Sequence, residues 1–456
     1  MNYDTICSVS SANGNGAIAI IRISGRNTIK ICNDIFKAYD KKKISEESHR
    51  KVLMGQIIDK KQIIDEVLIS VFHTPKSYTG EDVIEISCHG STYIQDHIIQ
   101  LLIQKGCRLA KKGEFTLRAF LNGKLDLSQA EGVAELIASD NDKAHKLALK
   151  QIKGGVSNEI KIIRKQFIKF ASLIELELDF SQEDVQFADR QELLVFLSKI
   201  ELKIDSLMQS FKYGNAIKKG IPITIVGNPN SGKSTLLNKI LNEDRAIVSD
   251  LKGTTRDTIE ENVIINGYKL RFIDTAGLRK TNDKIESIGI SKTYEKIKKS
   301  VFVIYLIDKL EYNVQNIRSE IEKINKQLNE NGEIILVANK NDVNTTNIKF
   351  KPYNILNISA KNGDGIQEIL NIIINKVAKW QKISTQVIVT NQRHFESLLK
   401  TSESIKEIKR AIKDNISGEF LALDIKRCLE FLGEITGEIT NEDLLDSIFR
   451  DFCIGK

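Results

Sequence analysis

Residues Gly227-Asn-Pro-Asn-Ser-Gly-Lys-Ser234 match GxxxxGK[ST] in full. Such a loop suits phosphate: its glycines let backbone N–H groups approach phosphate oxygens, its lysine reaches the β/γ-phosphates, and its last hydroxyl can sit on Mg²⁺. Asn230, Ser231 and Gly232 lie inside the loop, Lys233 and Ser234 close it, and Thr235 begins the helical run to Leu241. About twenty residues on, Gly253-Thr-Thr-Arg-Asp257 offers a threonine, Thr254 or Thr255, that can complete the Mg²⁺ shell and sense the γ-phosphate. In Asp274-Thr-Ala-Gly277, Asp274 can hold Mg²⁺ through water and the Gly277 N–H can meet the γ-phosphate, with Thr275 and Ala276 between them.

Base recognition has its own pair of motifs. In Asn339-Lys340-Asn-Asp342 the Asp342 carboxylate can accept from guanine N1–H and the exocyclic amine. Adenine offers no such donor pair and would leave that carboxylate unpaired. Ser359-Ala360-Lys361 brings a backbone N–H near guanine O6. Each motif alone is weak, but their order along the chain points to GTP binding and hydrolysis. Two details narrow the type. Gly277 is followed by Leu278, where Ras-like proteins carry the glutamine that positions the attacking water, so another residue must do that work. Asn230 either coordinates a monovalent cation beside the phosphates, where K⁺ would replace an arginine finger, or only shapes the loop.

These motifs need strands to aim them. Ile223–Val226 leads into the phosphate loop, and Val301–Ile307 and Ile334–Ala338 are continuous apolar runs of the kind buried on both faces of a parallel sheet. Asn266-Gly267 between two short apolar runs marks a hairpin, giving one antiparallel edge strand. Residues 216–378 therefore read as an inserted α/β Ras-like G domain in a multidomain chain. Residues 1–120 mix alternating strands (Gly16–Gly25, Val67–Phe72, Val83–Gly90) with helices near Ile29–Phe36 and Ile94–Gln104, an α+β domain. Residues 121–215 and 379–456 are helical, with apolar stripes at Ile163, Phe167, Phe170, Ile174 and at Phe395, Leu398, Ile405, Ile408, Ile412. The simplest arrangement is one discontinuous α-helical domain built from both stretches; two separate helical modules are the alternative. The polar, Lys-rich segment Tyr39–Arg50 reads as a mobile loop.

A length of 456 residues allows two to four domains, and a net charge of +7 permits contact with RNA without demanding it. No run of 18 apolar residues occurs, so no membrane association is expected. The six cysteines form no CxxC pair, which fits thiols in a reducing cytoplasm rather than a zinc site.

Over its whole length the chain resembles the MnmE (TrmE) family of tRNA modification GTPases. The resemblance rests on Asp4-Thr-Ile6, Arg22-Ile-Ser-Gly25, Thr79-Gly-Glu-Asp82 with His89-Gly90, Gly113-Glu-Phe115, Arg118 to Leu127, the GTPase motifs and the terminal Cys453-Ile-Gly-Lys456. It implies a homodimer formed through N-terminal domains of folate-binding type, with 5-formyltetrahydrofolate or a related folate held by Arg22, Glu85, Lys124 and Lys456. Spacing alone would make these surface residues. It also implies K⁺ held by Asn230, Ser249, Leu251 and Thr254, Mg²⁺ held by Ser234 and Thr255, and Glu286 as the helper for water. Glu286 would otherwise read as a solvated helix glutamate. Cys453, a tail cysteine that would ordinarily be inert, is implied to serve the modification reaction. The implied partners are tRNA and an FAD-dependent protein of the MnmG (GidA) type, together forming a heterotetramer. The pair adds an aminomethyl or carboxymethylaminomethyl group at C5 of the wobble uridine of certain tRNAs. One departure stands out: the turn Ser11–Gly16 lacks the arginine usual in the family. The competing expectation is a ribosome-assembly GTPase acting as a binding switch, yet no GxxG RNA module or second G domain is present.

Overall fold

The computed structural model describes residues 4–179, 189–242, 247–248, 260–273, 286–311, 313–328, 332–346, 348, 350, 353–383, 387–414, 416, 418–440, 442–450 and 452–455. It divides into two compact units: Met1–Ile137 with Gln151–Lys165 and Leu429–Lys456, and Ala138–Lys150 with Gln166–Cys428.

The first unit is built on β1 (Thr5–Val9), β2 (Ile18–Ser24), β3 (Phe36–Ala38), β4 (Val52–Asp59), β5 (Gln62–Phe72), β6 (Val83–His89) and β7 (Cys107–Leu109). They form a sheet in the order β3-β4-β5-β6-β2-β1-β7, antiparallel except between β1 and β7. Alternation decides the faces. Ala19, Ile21 and Ile23 of β2 and Val67, Ile69 and Val71 of β5 pack with Ile31 and Ile35 of α1 (Thr28–Ile35) and with Ile98 and Leu102 of α2 (Thr92–Gln104). Each such isoleucine contributes roughly 1.5–3 kcal/mol by leaving water. The opposite face carries Arg22, which register sets across from Glu85, and Glu85 lies across from Ser70.

Charged groups clamp one end of this unit. Arg118 of α3 (Glu114–Leu121) contacts Asp4 at 2.7 Å, Glu81 at 3.1 Å and Glu114 at 3.1 Å, while Arg108 reaches both Asp4 and Glu114 at 2.6 Å. Burial alone would raise the Asp4 and Glu114 carboxyls, but the bonds from the two arginines outweigh it and hold both below their ordinary values.

The segment Tyr39–Arg50 is not the mobile loop its composition suggested. Ile44 is buried, and the Asn33 side chain clamps its backbone from both sides, donating to Ile44 O at 3.0 Å and accepting from Ile44 N at 2.8 Å. A single turn of 3₁₀ helix, Glu46–Ser48, follows, and Arg50 N bonds to Val71 O at 2.7 Å. One buried apolar anchor outweighs the polar residues around it.

The second unit holds β8 (Ile221–Gly227), β9 (Ile247–Val248), β10 (Glu261–Ile265), β11 (Tyr268–Phe272), β12 (Phe302–Asp308), β13 (Glu333–Asn339) and β14 (Ile355–Asn357), in the order β14-β13-β12-β8-β11-β10-β9. Pairing is parallel from β14 to β11. The Asn266-Gly267 hairpin forms as expected, with φ of +51° and +77° at the two turn residues. Its antiparallel strand β10 is not the edge, however, because β9 pairs outside it. Strand β12 is buried on both faces. Phe302, Ile304 and Leu306 meet Leu236 and Ile240 of the helix Lys233–Leu241 and Ile369 and Ile373 of Ile366–Ile383, while Val303, Tyr305 and Ile307 meet Ile317 and Ile321 of Val314–Gln327. The long helix Arg190–Lys219 is started by Asp189, whose carboxylate accepts from Gln191 N and Glu192 N. It packs along Gln392–Lys413, with Phe211 stacked on Phe395 at 4.8 Å. The stripe residues Ile163, Phe167, Phe170 and Ile174 are all buried, as are Leu398, Ile405, Ile408 and Ile412. Among the described residues no helix is long and apolar enough to cross a membrane.

Candidate functional site

The phosphate loop joins the C-terminal end of β8 to the N-terminus of the helix Lys233–Leu241, where the first-turn N–H groups and the helix dipole favour an anion. Two of its glycines are sterically required. A Cβ on Gly227 would lie 2.3 Å from Leu306 O, and one on Gly232, at φ +96°, would lie 2.2 Å from Asn339 Nδ2. Asn230 stands exposed in the loop in left-handed backbone, φ +61°. Lys233 Nζ donates to Gly227 O at 2.9 Å and Asn228 O at 2.7 Å, so the ammonium is folded over the loop; burial lowers its pKa. Ser234 and Thr235 follow in the first helical turn.

Base-loop residues converge on the same place. Asn339, the last residue of β13, is buried and donates from Nδ2 to Ser231 O at 2.8 Å while its Oδ1 accepts from Ala360 N at 2.9 Å. One amide thus ties the phosphate loop to the segment Ser359-Ala360-Lys361. Ser359 Oγ donates to Asp342 Oδ1 at 2.7 Å. That bond, followed by the Asp342 backbone N–H, holds the Asp342 carboxyl below its ordinary value and keeps it ionised. Lys340 adopts φ +68° and its Nζ pairs with Asp308 at the end of β12.

Asp308 and Lys309 are residues that motif reading missed. Asp308 is buried and also accepts from Leu310 N at 2.9 Å, and Lys309 Nζ, lowered in pKa by burial, donates to Asn341 Oδ1 at 2.6 Å. Their signal was present: charges placed at the end of the apolar strand next to the phosphate-loop strand. Ser249, Leu251, Thr254, Thr255, Asp274, Thr275, Ala276, Gly277 and Leu278 lie outside the described residues. Glu286 opens the helix Glu286–Lys299, with its side chain outside them. Among the described residues no group of three or more His, Cys, Asp or Glu could hold a metal ion.

A second cluster lies in the first unit. Arg22 pairs with Glu85 at 2.8 Å, both bonds falling on Oε1, and its guanidinium sits 5.4 Å from the Tyr78 ring centroid and 5.6 Å from that of Phe115. Lys124 is exposed and donates to Pro75 O at 3.0 Å, on the same loop that carries Tyr78. Arg22 and Glu85 are therefore brought together directly, and Lys124 is joined to them only through that loop. Cys453 is exposed, and Lys456 lies outside the described residues.

The second unit is thus a P-loop nucleotide-binding domain with a guanine-type base loop. Two family descriptions match the chain, "GTP-binding protein TrmE N-terminus" over residues 5–124 and "MnmE helical domain" over residues 127–453. Proteins described as "tRNA modification GTPase MnmE" are similar along the full length. That of Flavobacterium johnsoniae is 51% identical, covering 100% of both chains, and that of Flavobacterium psychrophilum is 50% identical, covering 100% of this chain and 99% of the relative. The Bacteroides thetaiotaomicron protein is 46% identical over 100% of both. The chain belongs to the MnmE family of tRNA modification GTPases.

Proposed function

We propose that this chain is a tRNA modification GTPase in which the second unit hydrolyses GTP while the first unit and the C-terminal tail serve the modification chemistry. The observation that carries the reading is the Asn339 amide spanning Ser231 and Ala360, which makes guanine recognition and phosphate binding parts of one rigid element. Lys233 would leave its loop carbonyls for the β/γ-phosphates, the loop N–H groups would hold phosphate oxygens, and the Gly277 N–H would receive the γ-phosphate. Glu286, at the start of its helix, would orient the attacking water in place of the glutamine that Leu278 replaces.

The residues present fit the expected ions and ligand. Asn230 is exposed in the phosphate loop, suited to join Ser249, Leu251 and Thr254 around K⁺, and Ser234 with Thr255 would hold Mg²⁺. These cations would neutralise charge that builds on the transferring phosphoryl group. Arg22, Glu85 and the half-buried Tyr78 ring suit a flat heteroaromatic ligand bearing carboxylates, such as a folate, with Lys124 and Lys456 as further cations. The exposed apolar face of β4 and β5, where Met54 and Leu68 lie directly opposite and Val52 is 62% exposed, supports a homodimer. In the full assembly, an FAD-dependent MnmG-type protein and tRNA complete a complex that modifies C5 of the wobble uridine. Steady-state GTP hydrolysis in KCl against NaCl tests the ion assignment. The expected gain in K⁺ is on the order of tenfold or more, and equal rates would overturn it.

A further inference from the structure

The C-terminal tail is fixed before, at and after an exposed thiol. Before it, Phe452 is buried against Leu127, Ala130 and Phe449. At it, Gly113 N donates to Cys453 O at 3.3 Å and Lys112 bridges Ile454. After it, Gly455 O accepts from Ser10 Oγ at 3.0 Å and from Arg22 Nη1 at 3.3 Å. The receiving groups are rigid, because Ser10 N is bonded to Ile20 O at 2.7 Å and Arg22 is held by Glu85. Gly455 itself is buried at φ +96°, and a Cβ there would lie 2.3 Å from Val9 O, so only glycine closes this contact. Cys453 is left exposed on a backbone held before and after it.

We propose that Ser10 and Gly455 are positioning residues for Cys453, docking the tail across the end of β1 so that the exposed thiol is held two residues from the carbonyl that meets Arg22. The inference rests on Cys453 serving the modification reaction. It also assigns Arg22 a second duty: its guanidinium holds the tail as well as Glu85, so tail docking and ligand binding share one side chain.

The test uses the full-length protein with its FAD-dependent partner and tRNA, reading wobble-uridine modification alongside the rate at which carboxypeptidase Y trims the tail. Trimming follows the undocked population when docking is fast. Losing the Ser10 hydroxyl should raise trimming about fivefold, and Gly455→Ala, strained and clashing, on the order of tenfold or more. Modification should fall in parallel in both, and Ser10→Thr, which keeps the hydroxyl, should restore both readouts. Unchanged trimming in Ser10→Ala and Gly455→Ala, or raised trimming with wild-type modification, would overturn the proposal. Cys453→Ser separates it from the underlying reading. It should trim at the wild-type rate and fail to modify, whereas wild-type modification by this variant would show that the cysteine has no role to be positioned for.

Discussion

We assign guanine selectivity to Asp342, and exchanging its acceptor for a donor gives a number to test. Ser359 Oγ occupies one site on Oδ1 at 2.7 Å. An ionised carboxylate offers about four acceptor sites, so room remains for two donors from one base. Asp342→Asn removes the charge and turns one acceptor into an amine facing the guanine amine. Two hydrogen bonds to a charged group at ~1.5–3 kcal/mol each amount to ~3–6 kcal/mol, or a loss of about 10²–10⁴ in GTP affinity. Xanthine carries a carbonyl where guanine carries its amine, so the new amide can donate to it and the preference should invert. Because Asp342 is exposed, the fold should be untouched. Competition against a fluorescent guanine nucleotide gives both dissociation constants. A GTP affinity within fivefold of wild type, or no gain for xanthosine triphosphate, would refute the assignment of Asp342 to the base.

Further outcomes follow from other contacts. Arg118→Ala leaves Glu114, only 8% exposed, and Asp4 short of a cation, and should cost about 3–5 kcal/mol in urea unfolding. Since the folded carboxyls of Asp4 and Glu114 titrate below their ordinary 3.8 and 4.5, their stabilisation is complete above those values. It is lost as pH falls through the lower folded values, so urea midpoints should drop below about pH 4, and drop less in Arg118→Ala. Asn339→Ala removes the bonds to Ser231 and Ala360 and should weaken GTP binding about tenfold or more; unchanged affinity would mean the two loops are held by other contacts. Glu286→Ala should keep nucleotide binding while turnover falls on the order of 10²-fold, and retained hydrolysis would place the water helper elsewhere.

What the sequence disclosed depended on how local each cause was. The phosphate loop was legible because its backbone shape admits only glycine at 227 and 232, and the hairpin because Asn266 and Gly267 tolerate positive φ. The role of Asn339 beyond its motif was not legible: its partners lie 108 and 21 residues away, and only the fold of the sheet brings them together. The Arg22–Glu85 pair is likewise a matter of strand register across 63 residues, visible in advance only through family resemblance. Tyr39–Arg50 misled because eight lysines, serines and acids surround one isoleucine; that isoleucine, clamped by Asn33, decides the structure.

The most direct measurement is nucleoside analysis of total tRNA from a strain lacking this gene, complemented with wild type or with Lys233→Ala. Wild type should restore full modification at C5 of the wobble uridine, and Lys233→Ala should leave the uridine unmodified, because GTP cannot be held. Normal wobble modification in the uncomplemented strain or with Lys233→Ala would contradict this reading.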